Sequence, residues 1–323
     1  MWRTGLALCL LGLLVGCAQP RFSLYNCQLP APPAVEATVQ SLRYRVRTDA
    51  GKNAAQEVSR FMERAALLWT PVFGVPDPLS LPLEVQLHRD PSAMQQLLAS
   101  RHLTSTATGL YLPTSPPAIH VACWGREPGH PYRTLLHEGT HQFAHLAAGY
   151  RATGGAAGKT TGVPRLAIPL WLSEGLATYF EAAFLDPELL VPGTPDPDRL
   201  SELRTALRNG RAPRLDQVLT ARYGEKFDSL DYAATWAVVH VMMQEDPPPW
   251  ASGGREWLIG VLADARKGWT GAGVISAATG NYDPWWGLVT VAVHQSFLGF
   301  VAERGMTLPQ WESAWRAWLL AQP

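Results

Sequence analysis

The periodicity of the apolar residues changes once along this chain, and that change limits what it can fold into. Up to about residue 125 the pattern includes strand-like alternation: Leu42 to Arg47 and Leu83 to Leu87 place apolar side chains at every second position, the mark of half-buried strands. Gly109–Leu112 and Ala118–Cys123 read as a hairpin around the proline-containing stretch 113–117. Two helices interrupt these strands. One is Ala54–Trp69, with Val58, Phe61, Met62, Ala65, Leu68 and Trp69 at helical spacing and Pro71 expected to stop it. The other runs from Pro91 to Ser100. From Tyr132 onward the pattern is helical: Tyr132–Ala148, Leu170–Phe184, Asp198–Asn209, Ser229–Glu245, Arg255–Lys267, Trp285–Glu303 and Leu308–Ala321. A small sheet first and helices after it indicate an α+β fold. With 47% apolar and 17% charged residues among 323, the chain can bury a sizeable core and is too poor in charge to be disordered. Lys+Arg and Asp+Glu both number 27, so no basic field exists to hold nucleic acid.

The first segment is an address. Met1–Gly16 carries Arg3 and then an apolar run from Leu6 to Val15, too short to span a bilayer and shaped like a secretory leader. Leu14-Val15-Gly16-Cys17 resembles the lipobox of bacterial lipoproteins, which implies cleavage before Cys17 and lipidation of that residue. More than one acyl chain makes such anchoring stable. Ala18 replaces the Asp associated with inner-membrane retention, which favours the periplasmic side of the outer membrane. The expected organisation is a leader over 1–16, a lipidated Pro-rich tether over 17–36 and a domain over 37–323, with a β-containing part (37–125) and a helical part (126–323). Cys27 and Cys123 remain in an oxidising compartment and are expected to form a disulfide tying tether to domain, two unpaired thiols being the alternative.

Residues 134–145 read TLLHEGTHQFAH. His137 and His141 are four apart, so on a helix both imidazoles reach one metal ion from the same face. Glu138 lies about 100° around the helix, where it flanks the metal and can take a proton from a bound water. Two histidines leave a site incomplete, since a catalytic zinc keeps three protein ligands and one open position. Downstream, Pro169-Leu-Trp-Leu-Ser-Glu174-Gly-Leu-Ala-Thr-Tyr-Phe-Glu181 places a carboxylate at the start of a mostly apolar helix. A buried charge there needs a partner, and a metal would serve.

HEGTH followed by WLSEGLATYFE resembles the gluzincin metallopeptidases, most closely the bacterial DUF1570-type, peptidase-MA-like proteins, over roughly residues 80–245. The resemblance implies a zincin-like fold, one Zn2+ per chain on His137, His141 and Glu174, and Glu138 as general base and then proton donor. The metal would lower the pKa of its bound water to about 7 and polarise the scissile carbonyl. It further implies a Tyr that donates to the oxyanion, for which Tyr232 is the candidate, with Tyr223 and Tyr179 behind it. Glu181 or Thr178 would hold a ligand histidine from behind. The 33 positions between His141 and Glu174 exceed the spacing in thermolysin-like and aminopeptidase-like members, and the Gly-rich stretch 149–163 accounts for the excess as a lid or a surface loop.

Other residues have plainer readings. His145 sits one turn past His141, about 6 Å along the axis and too far to ligate. His130 and His240 read as solvent-facing or structural, and Trp124 and Trp171 as packing. Ala118–Cys123 is the candidate cleft edge along which an extended peptide would add. The expected function is zinc-dependent peptide hydrolysis by a lipid-anchored envelope enzyme acting on a peptide or protein. The alternative is a catalytically inactive zincin-fold lipoprotein that binds or scaffolds.

Overall fold

The computed structural model describes residues 35–74, 82–100, 108–112, 117–122, 130–147, 168–186, 188–222, 225–266 and 282–322. The leader, Cys17, Cys27, Cys123, Trp124, Tyr223 and the stretch 149–163 lie outside the described residues, and the lipidation and disulfide readings with them.

Among the described residues, five strands form one mixed sheet: β1 (Ala37–Gln40), β2 (Tyr44–Thr48), β3 (Leu83–Leu87), β4 (Gly109–Leu112) and β5 (Ala118–Val121), in the order β1-β2-β3-β5-β4. β2, β3 and β5 run parallel, with Val46 beside Val85 and Val85 beside Ile119. β1 and β4 close the two edges in antiparallel register. The parallel pairs need crossovers. Helix α1 (Lys52–Phe73) supplies the first, and α2 (Pro91–Ser100) lies in the connection from β3. One sheet face, with Tyr44, Val46, Leu83, Val85, Leu87, Ile119 and Val121, shares the main core with Phe61, Met62 and Trp69 of α1. Leu110, Leu112 and Ala122 pack on the other face with Met94, Leu97 and Leu98 of α2. Glu84 points away from the main core, yet it is buried, and Arg45 on the next strand pairs with it at 2.8 Å.

Helix α3 (His130–Ala147) lies on the sheet's main-core face and α4 (Leu170–Glu181) packs beside it. Gln142, fully buried, bolts α3 to the sheet by donating to the carbonyls of Pro117 and Glu84 at 2.9 and 3.4 Å. After α4 come a two-stranded hairpin, β6 (Phe184–Asp186) and β7 (Leu189–Leu190), and then α5 (Pro197–Arg208), α6 (Leu215–Thr220), α7 (Ser229–Met242), α8 (Gly254–Arg266), α9 (Tyr282–Ala302) and α10 (Leu308–Ala321). Aromatic rings join these helices: Trp171 of α4 stacks on Trp257, and Phe297 meets Trp257 and Trp311 edge-on. Trp171 is fully buried and serves packing. No helix among the described residues is long and apolar enough to cross a membrane.

Three sequence expectations change. Pro71 does not stop α1, which continues to Phe73 and ends at Gly74 in the left-handed region (φ 57°), whose N–H donates to the Thr70 carbonyl. Pro71 sits on the exposed side of the last turn, and Leu67, whose carbonyl it leaves without an N–H, is 63% exposed, so water can satisfy that group. Helix α4 ends at Glu181 rather than Phe184. The Phe184 ring stacks on Tyr132 at 5.5 Å and meets Phe61 edge-on, and this packing draws the chain out of the helix into β6. Finally, β5 is an interior strand, and the sheet edge on its side is β4. The sequence reading did not anticipate β1, α6 or the β6–β7 hairpin.

Candidate metal centre

The centre starts from one face of α3. Leu135, Leu136, Phe143 and Ala144 are buried and seat the helix, while Gly139 lies flat against the Trp69 ring, where a Cβ would come within 2.3 Å of the indole. That seating turns His137 and His141 toward α4, where residues Leu170 to Phe180 are all buried. Gly175 allows α4 to press on α7, since a Cβ there would stand 2.8 Å from the Thr235 carbonyl oxygen. Glu174 is thereby brought, 6% exposed, against the two imidazoles.

Three ligand atoms meet. His137 Nε2 and His141 Nε2 are 3.3 Å apart, and Glu174 Oε2 lies 3.4 Å from the first and 3.6 Å from the second. Nitrogen and oxygen donors about 2.0–2.1 Å from a tetrahedral ion stand about 3.3–3.4 Å apart, so the residues fit a metal ion. They are the only such group of three or more ligand residues among the described residues.

The ligand histidines are held from behind. Glu181 Oε2 is 3.1 Å from His137 Nδ1, and Ser173 Oγ is 3.0 Å from His141 Nδ1. A partner at Nδ1 leaves Nε2 as the lone-pair face toward the metal. Burial raises the Glu174 carboxyl, but the His141 and His137 imidazoles more than offset it and hold the group well below the usual carboxylate range. Burial likewise opposes charge on His137, yet hydrogen bonds to Glu174 and Glu181, with Glu138 nearby, raise its pKa well above the ordinary value.

Glu138 sits between the ligand pair and β4. A Cβ on Gly109 would lie 3.0 Å from its Cγ and Oε1, so only glycine lets the edge strand pass so close. Burial pushes the Glu138 carboxyl up; the two imidazoles and a hydrogen bond from the Tyr111 backbone act the other way.

Residues 132–252 match the family model of DUF1570, a protein family of unknown function. No curated protein matches the chain. The DUF1570-like stretch takes in all three ligand residues and the helices α4 to α7 that support them, and leaves out the whole five-stranded sheet.

The remaining candidates are not among the three ligand residues. Tyr232 opens α7 on the DUF1570-like stretch, half-buried, with its ring edge-on to Phe227 at 5.0 Å. The Tyr179 hydroxyl lies toward Gly193, and burial lifts it to about 12. Thr178 donates to the Glu174 and Gly175 carbonyls of its own helix. His145 is fully buried outside the ligand group, edge-on to Tyr111, and burial lowers it to about 3. His240 is a buried ring stacked on Trp236. His88 and His120 form a buried stacked pair with ring nitrogens 3.3 Å apart, separate from the centre. Ser173 went unnoticed in the sequence, although it directly precedes Glu174. Arg133, Asp196 and Arg199, which surround Glu181, also went unnoticed. Of these, only Arg133 left a signal, four positions before His137 on the same helical face.

Proposed function

We propose that the protein is a zinc-dependent metallopeptidase of the gluzincin type, anchored by lipid at Cys17 to the periplasmic side of an outer membrane. One observation carries the catalytic part of this reading: three ligand atoms at 3.3, 3.4 and 3.6 Å, with the carboxyl of Glu138 wedged between them and an edge strand. Two histidines and a glutamate are a donor set that suits zinc in its catalytic form, with a position left for substrate or water. When bound, zinc supplies Lewis acidity, polarising a carbonyl and lowering the pKa of water to about 7.

The chain's own residues supply the rest. His137, His141 and Glu174 hold the ion, and Glu181 and Ser173 fix the two imidazoles by their Nδ1 atoms. Glu138 accepts a proton from the attacking water and returns it to the departing amine. β4 is the edge strand beside Glu138, and extended peptides add to sheet edges by backbone pairing. This favours a peptide over a compact small molecule as substrate. Tyr232 is the candidate oxyanion donor.

Elemental mass spectrometry of the purified protein, with hydrolysis of a quenched fluorescent peptide library, tests the proposal. About one zinc per chain is expected. Glu138→Gln should keep the zinc and lose roughly 10²–10⁴-fold in rate. Zinc without hydrolysis would point to a binding or scaffold protein on the same site. A folded, zinc-supplemented chain without metal would refute the proposal.

A further inference from the structure

Behind His137 stands a closed ring of charge that joins three helices. Glu181, the last residue of α4, places Oε2 3.1 Å from His137 Nδ1 and 3.2 Å from Arg199 Nη2. Its other oxygen faces Arg133 Nε at 3.9 Å. Arg133 Nη2 in turn reaches Asp196 Oδ2 at 2.7 Å, and Arg199 Nε reaches the same oxygen at 3.6 Å. Asp196 is only 4% exposed, and its Oδ1 caps α5 by accepting the N–H groups of Asp198 and Arg199, both at 3.1 Å. Two guanidinium groups and two carboxylates thus connect a metal ligand to the first turn of a separate helix. Together with Asp198 and Glu202, these four residues line a hollow of about 320 Å³.

We infer that Arg133 and Arg199, clamped by Asp196, are positioning residues for the metal ligand His137 and act through Glu181. The inference rests on the metal-site reading above. A carboxylate at the end of a helix can rotate, and a rotated Glu181 would no longer fix the His137 ring. Arg199 shares the oxygen that meets His137 Nδ1, and Arg133 faces the other oxygen, so the two cations together define the carboxylate plane. Because coupling is reciprocal, metal binding should tighten the seating of α5 by as much as the clamp tightens the metal.

A double-mutant cycle on the full chain tests this, with zinc affinity read by competition with a chromophoric chelator. Arg199→Leu should weaken zinc binding by about tenfold, the lower end for residues that support a ligand from behind. Glu181→Gln should weaken it comparably. In the Glu181→Gln background, Arg199→Leu should cost little more, because the path to His137 is already broken. The visible band of the cobalt-substituted Arg199→Leu protein should differ from wild type, while that of Asp198→Asn, at the rim of the hollow, should not. If Arg199→Leu does not fold, Arg133→Leu replaces it in the same cycle. Wild-type zinc affinity in either arginine variant would overturn the inference and leave the metal site standing. An equal loss in both backgrounds would also overturn it, since that is the signature of helix packing alone. A wild-type chain that binds no zinc would overturn both this inference and the proposed function.

Discussion

Gly175→Ala is the substitution whose outcome the structure specifies most sharply. In an open helix interior, exchanging Gly for Ala stabilises by about 1 kcal/mol. At Gly175 the new Cβ would stand 2.7 Å from Val239 Cγ2 and 2.8 Å from the Thr235 carbonyl oxygen, on the α7 backbone. The valine methyl can yield, but the carbonyl is held in the helix, so α4 and α7 must part by about 0.6 Å to restore ordinary contact. Overpacking of this kind costs about 1–3 kcal/mol, which cancels the helical gain and leaves a net loss of up to about 2 kcal/mol. For a chain of this size that lowers Tm by a few degrees, at about 2–4 °C per kcal/mol. The movement also reaches Glu174, the preceding residue, and metal geometry tolerates about 0.2 Å. Zinc affinity should therefore fall together with stability. The internal control is Gly260→Ala in α8, where, among the described residues, no atom beyond its own stretch of helix lies within 4 Å of the new Cβ. It should be neutral or stabilising and leave zinc binding untouched. Thermal unfolding and chelator competition on both variants check the reasoning. If Gly175→Ala is as stable as Gly260→Ala, or binds zinc as wild type does, then the argument that Gly175 sets the depth of Glu174 is wrong.

Ser173→Ala removes the acceptor 3.0 Å from His141 Nδ1 and should weaken zinc binding about tenfold with little change in the Tm of the metal-free protein. Stability should also fall on the acid side. His145 and His240 are buried with pKa values lowered to about 3 and about 4, so they stay neutral in the folded chain while the unfolded chain takes up protons below about 6.5. Their contribution is complete above about pH 6.5 and declines by about 1.4 kcal/mol per group per pH unit below it, down to each folded value. Glu181, lowered to about 2, adds the same sign at lower pH. His137, whose pKa is raised in the metal-free protein, works in the opposite sense, losing its contribution as pH rises through its folded value. Urea titrations between pH 4 and 7 should show the decline, and His145→Met should flatten it; an unchanged slope in that variant would contradict the assignment.

The chemistry-bearing residues were legible because they follow a local rule. His137 and His141 share a face of α3 as any residues four apart on a helix do, and Glu174 stood out as a charge in an apolar helix start. The helix boundaries came within a few residues where apolar spacing was strong, as in α10, where Leu308–Ala321 is the segment expected. They failed where a distant contact competed, as at Phe184, whose ring is claimed by Tyr132 and Phe61.

The sequence alone therefore determined most of the longer elements, their order from sheet to helices, and the pair of histidines on one helical face, because periodicity is a property of the local chain. Only the tertiary structure decided that Glu174 closes on those histidines, that β4 rather than β5 is the edge beside Glu138, and that Arg133, Asp196 and Arg199 stand behind Glu181. These arrangements depend on how closely whole helices approach one another. That closeness is set at contacts such as Gly139 on Trp69 and Gly175 on α7, between residues far apart in the chain, where no local pattern marks the partner.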